Sequence, residues 1–380
     1  MIAVVIFFCA LLFIAYVVAG YPLLLGRMAA RQSHPITRSQ ELRTVSVVIA
    51  VRNGEKWIRR KLLSVLALDY PKDLMEILVI CDGCTDSTEE LISEFVRQGV
   101  RAISVPAAGK AAALGVGIRA ARNEILLMTD VRQELDPVCL RRLIACFGDP
   151  AVGVASGDVV ISRGLSGADR VIGVYRRYES WIRDRLSAID SMFGATGCLY
   201  AIRRQLAEPP PPETLLDDMY VPLAAFRQGY RTIIELNARA FDEPVSLDTE
   251  FFRKVRTLAG NYQILTWYPQ LLGPSNRMWF HYVSYKIGRL LLPYALLAMA
   301  AATLWLHGPL LAIAATGQVL VYGIAILDAV LPHRSRWSRF SSPFRTFVVL
   351  MAANLCAGAI LFVPARKFWK PTETRARPGG

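Results

Sequence analysis

The chain of 380 residues is 53% hydrophobic and 20% charged, with a net charge of +13. Its mean hydropathy of +0.34 is too high for an ordinary soluble domain. The apolar residues are concentrated in residues 2–26, 290–306, 309–327 and 346–365, which carry no charge, so the remainder is about a quarter charged, the usual globular share. This distribution excludes a secreted disulfide scaffold, a disordered chain and a polytopic pore.

The first run reads as a retained transmembrane anchor, residues 1–26. It is longer than the apolar region of a cleavable signal peptide and lacks the basic segment that precedes one. Each of the four runs is near the roughly 20 residues that cross a bilayer core of about 30 Å. Arg27, Arg31, Arg38 and Arg43 follow the first run, while only the amino terminus precedes it. By the positive-inside rule the N-terminus lies outside and residues 27–289 lie in the cytosol.

Between residues 44 and 155, β-branched runs at 44–51, 76–81, 101–105 and 125–129 alternate with helical patterns at 55–68, 87–97 and 110–122. On the first helix Trp57, Ile58, Leu62, Leu63, Val65 and Leu66 form the apolar side. The alternation predicts a parallel sheet with helices on both faces, which binds ligands outside the carboxyl ends of its strands. Polar residues fall there: Arg52 and Asn53 after the first strand, Asp82 and Asp86 after the second, Asp130 after the fourth. Three acids at separate strand ends suggest a metal-bound phosphate ligand; the alternative is that they are loop and helix-cap acids. Neither a dinucleotide-binding glycine fingerprint nor a P-loop occurs. Cys81 and Cys84 form a C-x-x-C with no second pair at zinc spacing and no histidine nearby, so no zinc or redox role is assigned to them.

Residues 193–204, FGATGCLYAIRR, predict a glycine-rich turn into a basic strand or helix, and 208–214, EPPPPET, a stiff polyproline linker. The linker leads to Asp217 and Asp218 and a helix at 219–228. Acids at a helix start commonly serve as caps. In the segment 266–289, Trp267, Tyr268, Trp279, Phe280, Tyr282 and Tyr285 interleave with Arg277, Lys286 and Arg289. This pattern describes an interfacial belt on an anionic membrane surface and accounts for the basic charge without nucleic acid. Three apolar segments follow within 290–365, the first two forming a hairpin across His307 and Gly308. The loop 333–345, with Arg334, Arg336, Arg339 and Arg345, reads as cytosolic. If the last run crosses fully, the basic tail 366–380 lies outside against the same charge rule, so either that run is re-entrant or another assignment is wrong.

The segments VSVVIAVRNGEKWI, CDGCTDST, GKAAALGVGIRAARNEILLMTD, GATGCLYAIRR, LLDDM and RKVRTLAGNYQ occur in this order. With them the chain from Thr44 to about Leu292 resembles the family 2 inverting glycosyltransferases. It is especially similar to the bacterial membrane-bound members that make exopolysaccharides, alongside poly-N-acetylglucosamine, hyaluronan and cellulose synthases. The resemblance implies a GT-A-type α/β domain with a parallel-dominated sheet, residues 27–265, flanked by N- and C-terminal transmembrane helices. The implied enzyme sits in the plasma (inner) membrane as a multi-pass protein with its catalytic domain cytosolic. It would move a hexosyl or N-acetylhexosaminyl unit from a UDP-sugar to a polysaccharide or lipid-linked acceptor, assisted by Mg2+ or Mn2+, with membrane lipids and export machinery as partners.

Inverting transfer needs a base for the acceptor hydroxyl and positive charge for the departing diphosphate. By the resemblance, Asp218 is the base, Asp130 holds the metal, Asp82 hydrogen-bonds the uracil, and Arg52 and Asn53 frame it. Lys110 supports the diphosphate, and Arg253 and Arg256 cover it. The sequence departs from the family pattern at Arg132, where the second acid of the metal motif stands, at Gly115 for Asn, at Arg52 for a stacking Tyr and at Cys84 for Ser. At 253–257 only Arg256 matches the Gln-x-x-Arg-Trp motif of processive synthases. A guanidinium donates only, so one carboxylate is expected to hold the metal while Arg132 approaches a phosphate or an acidic acceptor group, or turns to solvent. The alternative readings are a non-catalytic membrane subunit of a polysaccharide assembly complex and a transferase adding one sugar to a lipid carrier.

Overall fold

The computed structural model describes residues 1–161, 167–243, 247–330 and 338–368. The chain packs as two compact units, Ala29–Ser162 with Ser180–Glu243, and Met1–Met28 with Arg163–Glu179 and Pro244–Gly380.

The first of these units is built on an eight-stranded sheet: β1 (Val45–Val51), β2 (Met75–Asp82), β3 (Val100–Val105), β4 (Ile125–Met128), β5 (Glu134–Leu135), β6 (Val152–Ile161), β7 (Tyr200–Arg203) and β8 (Arg231–Asp242). Their spatial order is β3-β2-β1-β4-β7-β6-β8-β5. The sequence of β1, VSVVIAV, is apolar on both sides because both faces of the sheet are covered. Val45, Val47, Ile49 and Val51 pack with Ile58, Leu62 and Val65 of the helix Glu55–Leu66, while Val48 packs with Leu114 and Ile118 of the helix Lys110–Ala120. A Cβ on Gly117 would come within 2.4 Å of Val48, so glycine lets that helix lie directly on the strand.

The expected parallel sheet is found in β3-β2-β1-β4. Beyond β4 the sheet is mixed: β7 runs antiparallel to β4 and β6, β6 is parallel to β8, and β5 is antiparallel to β8. This reversal matters for the site. Tyr200 at the start of β7 pairs with Met128 at the end of β4, so the glycine-rich loop entering β7 arrives beside Asp130.

The apolar side of the helix Glu55–Leu66 also differs from expectation. Leu63 is 53% exposed, whereas Lys61 is 1% exposed. Ile58, Lys61, Leu62 and Val65 follow the i, i+3, i+4, i+7 spacing of a buried stripe, and the lysine takes its place in it.

The other unit is helical. Among the described residues, four helices are long and apolar enough to cross a membrane: Ile2–Arg31, Trp279–Thr303, Gly308–Asp328 and Ser341–Leu361. The aromatic-basic segment before residue 290 thus continues into the second of these helices. Two π-helical stretches, Tyr16–Gly20 and Tyr282–Ile287, are joined by a hydrogen bond between the Tyr16 hydroxyl and Ser284 Oγ at 2.7 Å, with Tyr21 Oη 3.1 Å from His281 Nδ1. Glu179 takes hydrogen bonds from Tyr285 at 2.8 Å and from Arg289. Burial favours its neutral form, yet Arg289 and Lys254 hold the carboxyl down to about 2. Part of the loop 333–345 and the tail beyond residue 368 lie outside the described residues.

Pro293, inside the helix Gly288–Thr303, has no N–H to give the carbonyl four residues earlier. That carbonyl, Arg289 C=O, accepts Asn354 Nδ2 at 2.8 Å, and Leu290 C=O lies 3.3 Å from the same nitrogen. Asn354 is 1% exposed, and lipid offers no substitute donor. Asn354→Leu is expected to lower stability in detergent by roughly 1–2 kcal/mol, read as a fall in melting temperature; an unchanged transition would show that the freed carbonyls are satisfied otherwise.

Candidate active site

The carboxyl ends of β1 and β2 are bound to each other by short polar side chains. Asn53 adopts φ +50, a conformation asparagine tolerates, and its Oδ1 accepts Thr85 N at 2.8 Å. Arg52 beside it is exposed. Asp82, 2% exposed, accepts Ala108 N at 2.7 Å and Gly109 N at 3.0 Å, and thereby fixes the turn that opens the helix Lys110–Ala120. Gly83 at φ +59 permits this approach, since a Cβ there would meet Ala107 N at 2.8 Å. Asp86 accepts Glu55 N at 3.1 Å and Thr88 N at 3.1 Å. Of the three strand-end acids, then, Asp86 caps helix starts and Asp82 shapes a loop.

Asp130 joins a charge cluster. Lys110 Nζ lies 2.8 Å from Asp130 Oδ1 and 3.1 Å from Asp217 Oδ2. Asp217 and Asp218 open the helix Asp217–Arg227, which contains Pro222. Pro222 offers no N–H to the Asp218 carbonyl, and that carbonyl accepts Ala195 N at 2.7 Å instead. The loop entering β7 is docked on Asp218 through this bond, with Gly197 so close that a Cβ would lie 2.7 Å from Asp218 Oδ2. Arg183 braces the loop from the other side, donating to Thr196 Oγ1 at 2.8 Å and Ser156 Oγ at 3.2 Å.

The cluster separates its acids electrostatically. Burial, and after it the charge of Asp217, pushes the Asp218 carboxyl up to about 6, against the pull of Lys110. For Asp130 burial also favours the neutral form, but Lys110 outweighs it and the carboxyl stays below its ordinary value. Burial opposes the charge on Lys110, and Asp130 and Asp217 overcome it and raise that ammonium. The result is one carboxylate held ionised and another that takes and releases a proton near neutrality. Tyr200 is buried beside these acids, its hydroxyl without a hydrogen-bond partner. Burial foremost, then Asp217 and Asp218, keeps it protonated.

Arg132 is not turned out to solvent. The β5–β8 pairing brings Asp242 alongside, and Arg132 Nη2 donates to Asp242 Oδ2 at 3.1 Å, with Asp242 only 4% exposed. The guanidinium is directed at the chain's own acid and away from solvent, and its Nε has no partner. Arg253 and Arg256 belong to the helical unit, on the helix Leu247–Trp267.

Asp130 is the carboxylate available to a hard cation, with its side chain 34% exposed. Among the described residues the three ligating side chains that come close together are Cys81, Cys84 and Glu89, a sulfur-rich set unsuited to Mg2+ or Mn2+. The protein's donors therefore fit a hard cation only when further oxygen ligands accompany it. Two components of this geometry had sequence signals not used above: Pro222 four residues beyond Asp218, and Lys61 within a core stripe.

The model of glycosyl transferase family 2 matches residues 46–208. A probable glycosyltransferase of Bacillus subtilis, YdaM, is 24% identical over 60% of this chain and 57% of its own length. A poly-beta-1,6-N-acetyl-D-glucosamine synthase of Staphylococcus epidermidis is 31% identical over 31% of this chain and 29% of its own length. The chain thus spans well under two thirds of either relative. Among solved structures, the mannosyltransferase PcManGT of Pyrobaculum calidifontis, in complex with GDP-Man and Mn2+, aligns with a TM-score of 0.72 at 21% identity over 94% of this chain and 99% of that one. This likeness shows a GT-A fold.

The raised Asp218 carboxyl carries a stability signature. It titrates near 6 when folded against an ordinary 3.8, so between about pH 4 and pH 6 the folded state binds a proton that the unfolded state has released, and stability falls as pH rises through that window. Asp218→Asn is expected to melt higher than wild type at pH 7.5, with the difference shrinking towards pH 4. An equal or lower melting temperature at pH 7.5 would remove the electrostatic penalty from Asp218.

Proposed function

We propose, from the match of residues 46–208 to the glycosyl transferase family 2 model, that the chain is a membrane-bound inverting glycosyltransferase. It moves a hexosyl or N-acetylhexosaminyl unit from a UDP-sugar to a polysaccharide or lipid-linked acceptor, with Mg2+ or Mn2+ as cofactor. The observation that carries this reading is the cluster around Lys110, which pairs with Asp130 and Asp217 and leaves Asp130 below its ordinary value while the neighbouring Asp218 carboxyl is pushed up to about 6. The nucleotide-sugar and Mn2+ in the mannosyltransferase neighbour, and the polysaccharide synthase among the relatives, support it.

The proposed roles follow from position. Arg52 and Asn53, at the end of β1, frame the nucleobase. Asp82 shapes the adjoining turn and, having about four acceptor sites, keeps capacity for a uracil N–H. A divalent cation held by Asp130 and the diphosphate would neutralise the charge that develops on the leaving group. Lys110 adds its own positive charge at that point, and Arg253 and Arg256 are the further cations proposed for the diphosphate. Asp218 accepts the acceptor hydroxyl's proton on its carboxylate while the nucleoside diphosphate departs from the opposite face of the sugar. Cytosolic supply of activated sugars places this domain on the cytosolic side of the plasma membrane. Addition of a single sugar to a lipid carrier is the second reading, favoured by the match of Arg256 alone to the processive motif.

Mass spectrometry of products from purified full-length protein with a panel of UDP-sugars tests the reading. Asp218→Asn is expected to lower transfer by roughly 10²- to 10⁴-fold while UDP binding changes little, and turnover near wild type would exclude Asp218 as base. Because the base must be ionised, kcat/KM should fall about tenfold per pH unit below an apparent pKa near 6; a flat profile from pH 5 to 8 would contradict the assignment.

Gly197→Ala tests the docking of the loop. The added methyl competes with Asp218 Oδ2 for space, so kcat is expected to drop by about tenfold or more with donor KM little changed. Unaltered kcat would mean the carboxylate is not held by that contact.

A further inference from the structure

Lys61 is the one buried lysine among the described residues, at 1% exposure, and no role in the transfer described above uses it. Its Nζ donates to Thr129 Oγ1 at 2.7 Å and to the Gln133 carbonyl at 2.7 Å. These two acceptors stand on either side of Asp130, so one ammonium grips both ends of the turn that carries the metal carboxylate. The same Thr129 hydroxyl donates onward to the Cys198 carbonyl at 2.7 Å. Cys198 follows Gly197 in the loop whose Ala195 N–H is bound to the Asp218 carbonyl. A continuous hydrogen-bonded path therefore runs from the helix Glu55–Leu66, through Lys61 and Thr129, to the two segments that hold Asp130 and Asp218.

Placing an ammonium inside a packed helix-sheet interface is unfavourable unless its hydrogens are satisfied, and an apolar residue of similar length would fill the same stripe. A surface function is excluded by its burial. Anchoring of the whole fold is a poor account, because the acceptors of Lys61 are confined to the short stretch around Asp130 and not spread over the sheet.

We propose that Lys61 is a positioning residue of the transfer site: it touches neither substrate nor the reacting atoms, but fixes the direction of Asp130 by holding both ends of its turn and ties that turn, through Thr129, to the loop beneath Asp218. The role rests on the transferase reading given above. A cation bound by a single protein carboxylate depends strongly on where that carboxylate points, and groups that orient a metal ligand commonly change metal affinity by about 10- to 100-fold when removed.

The test uses purified full-length protein, with UDP binding followed by calorimetry with and without Mn2+, and amide hydrogen exchange as an independent readout. Lys61→Met and Thr129→Val are each expected to lose about tenfold or more of the affinity for UDP that Mn2+ adds, while binding of UDP alone stays within about twofold. The double variant should be no worse than either single one, as for two members of one network. Thr129→Ser keeps the hydroxyl and should behave as wild type. Exchange should accelerate in residues 129–136 and 195–199 and stay unchanged in β1 and β2. An undiminished Mn2+ effect in Lys61→Met, strict additivity, or acceleration spread evenly over the domain would overturn the proposal. If wild-type protein shows no Mn2+-linked gain, the transferase reading fails and this role falls with it; a gain present in wild type and absent in Lys61→Met attributes the loss to the lysine.

Discussion

The site depends on one ammonium. Lys110 stands between Asp130, at the end of β4, and Asp217, at the start of a helix that enters from the far side of a polyproline linker. Without a cation between them, carboxylates gathered in a part-buried cluster would raise one another's affinity for protons until none was reliably ionised. With Lys110 present, the Asp130 carboxyl stays below its ordinary value while that of Asp218 is pushed up to about 6. A lysine at a helix N-terminus opposes the helix dipole, so its placement has to be enforced. Asp82 does this by gathering the amides of Ala108 and Gly109, and the negative charge of Asp130 and Asp217 compensates for the dipole.

Much of this was readable from sequence where the determinants are local. The first four strands and the helices between them follow from the alternation of β-branched runs with amphipathic stretches, and the glycosyltransferase family and GT-A fold suggested by the ordered motifs agree with the comparisons. Lys110, Asp130 and the acid pair were singled out by their motifs, and the structure brings Lys110 within ion-pair distance of Asp130 and of Asp217, with Asp218 next in the chain. Long-range pairing was not readable. Nothing in the four residues of β7 says that they run against β4, and the meeting of Arg132 with Asp242 exists only because β8 returns beside β5. Lys61 falls between the two cases. Its spacing from Ile58 and Leu62 marks the buried stripe, but residue type argues for the surface, and only the acceptors at Thr129 and Gln133 reconcile the two.

Several polar groups in the helical unit are paired under harsher conditions. Tyr16 with Ser284, Tyr21 with His281, Gln318 with Thr303, and Asn354 with the carbonyls of Arg289 and Leu290 each answer a group that lipid could not. These contacts specify which helices meet, since apolar side chains alone are as content against lipid as against one another.

Pro222 and Pro293 share a consequence for how such a protein can change. Each vacates a backbone carbonyl at a fixed address, one helical turn upstream, and the vacancy is filled by a neighbouring segment. At Asp218 the incoming donor is itself backbone, the N–H of Ala195. The join is therefore indifferent to most side chains on the loop, which can be exchanged without dislodging the carboxylate beside it. A proline inside a helix, usually taken for a flaw, here anchors a loop through its backbone and leaves that loop's side chains out of the join.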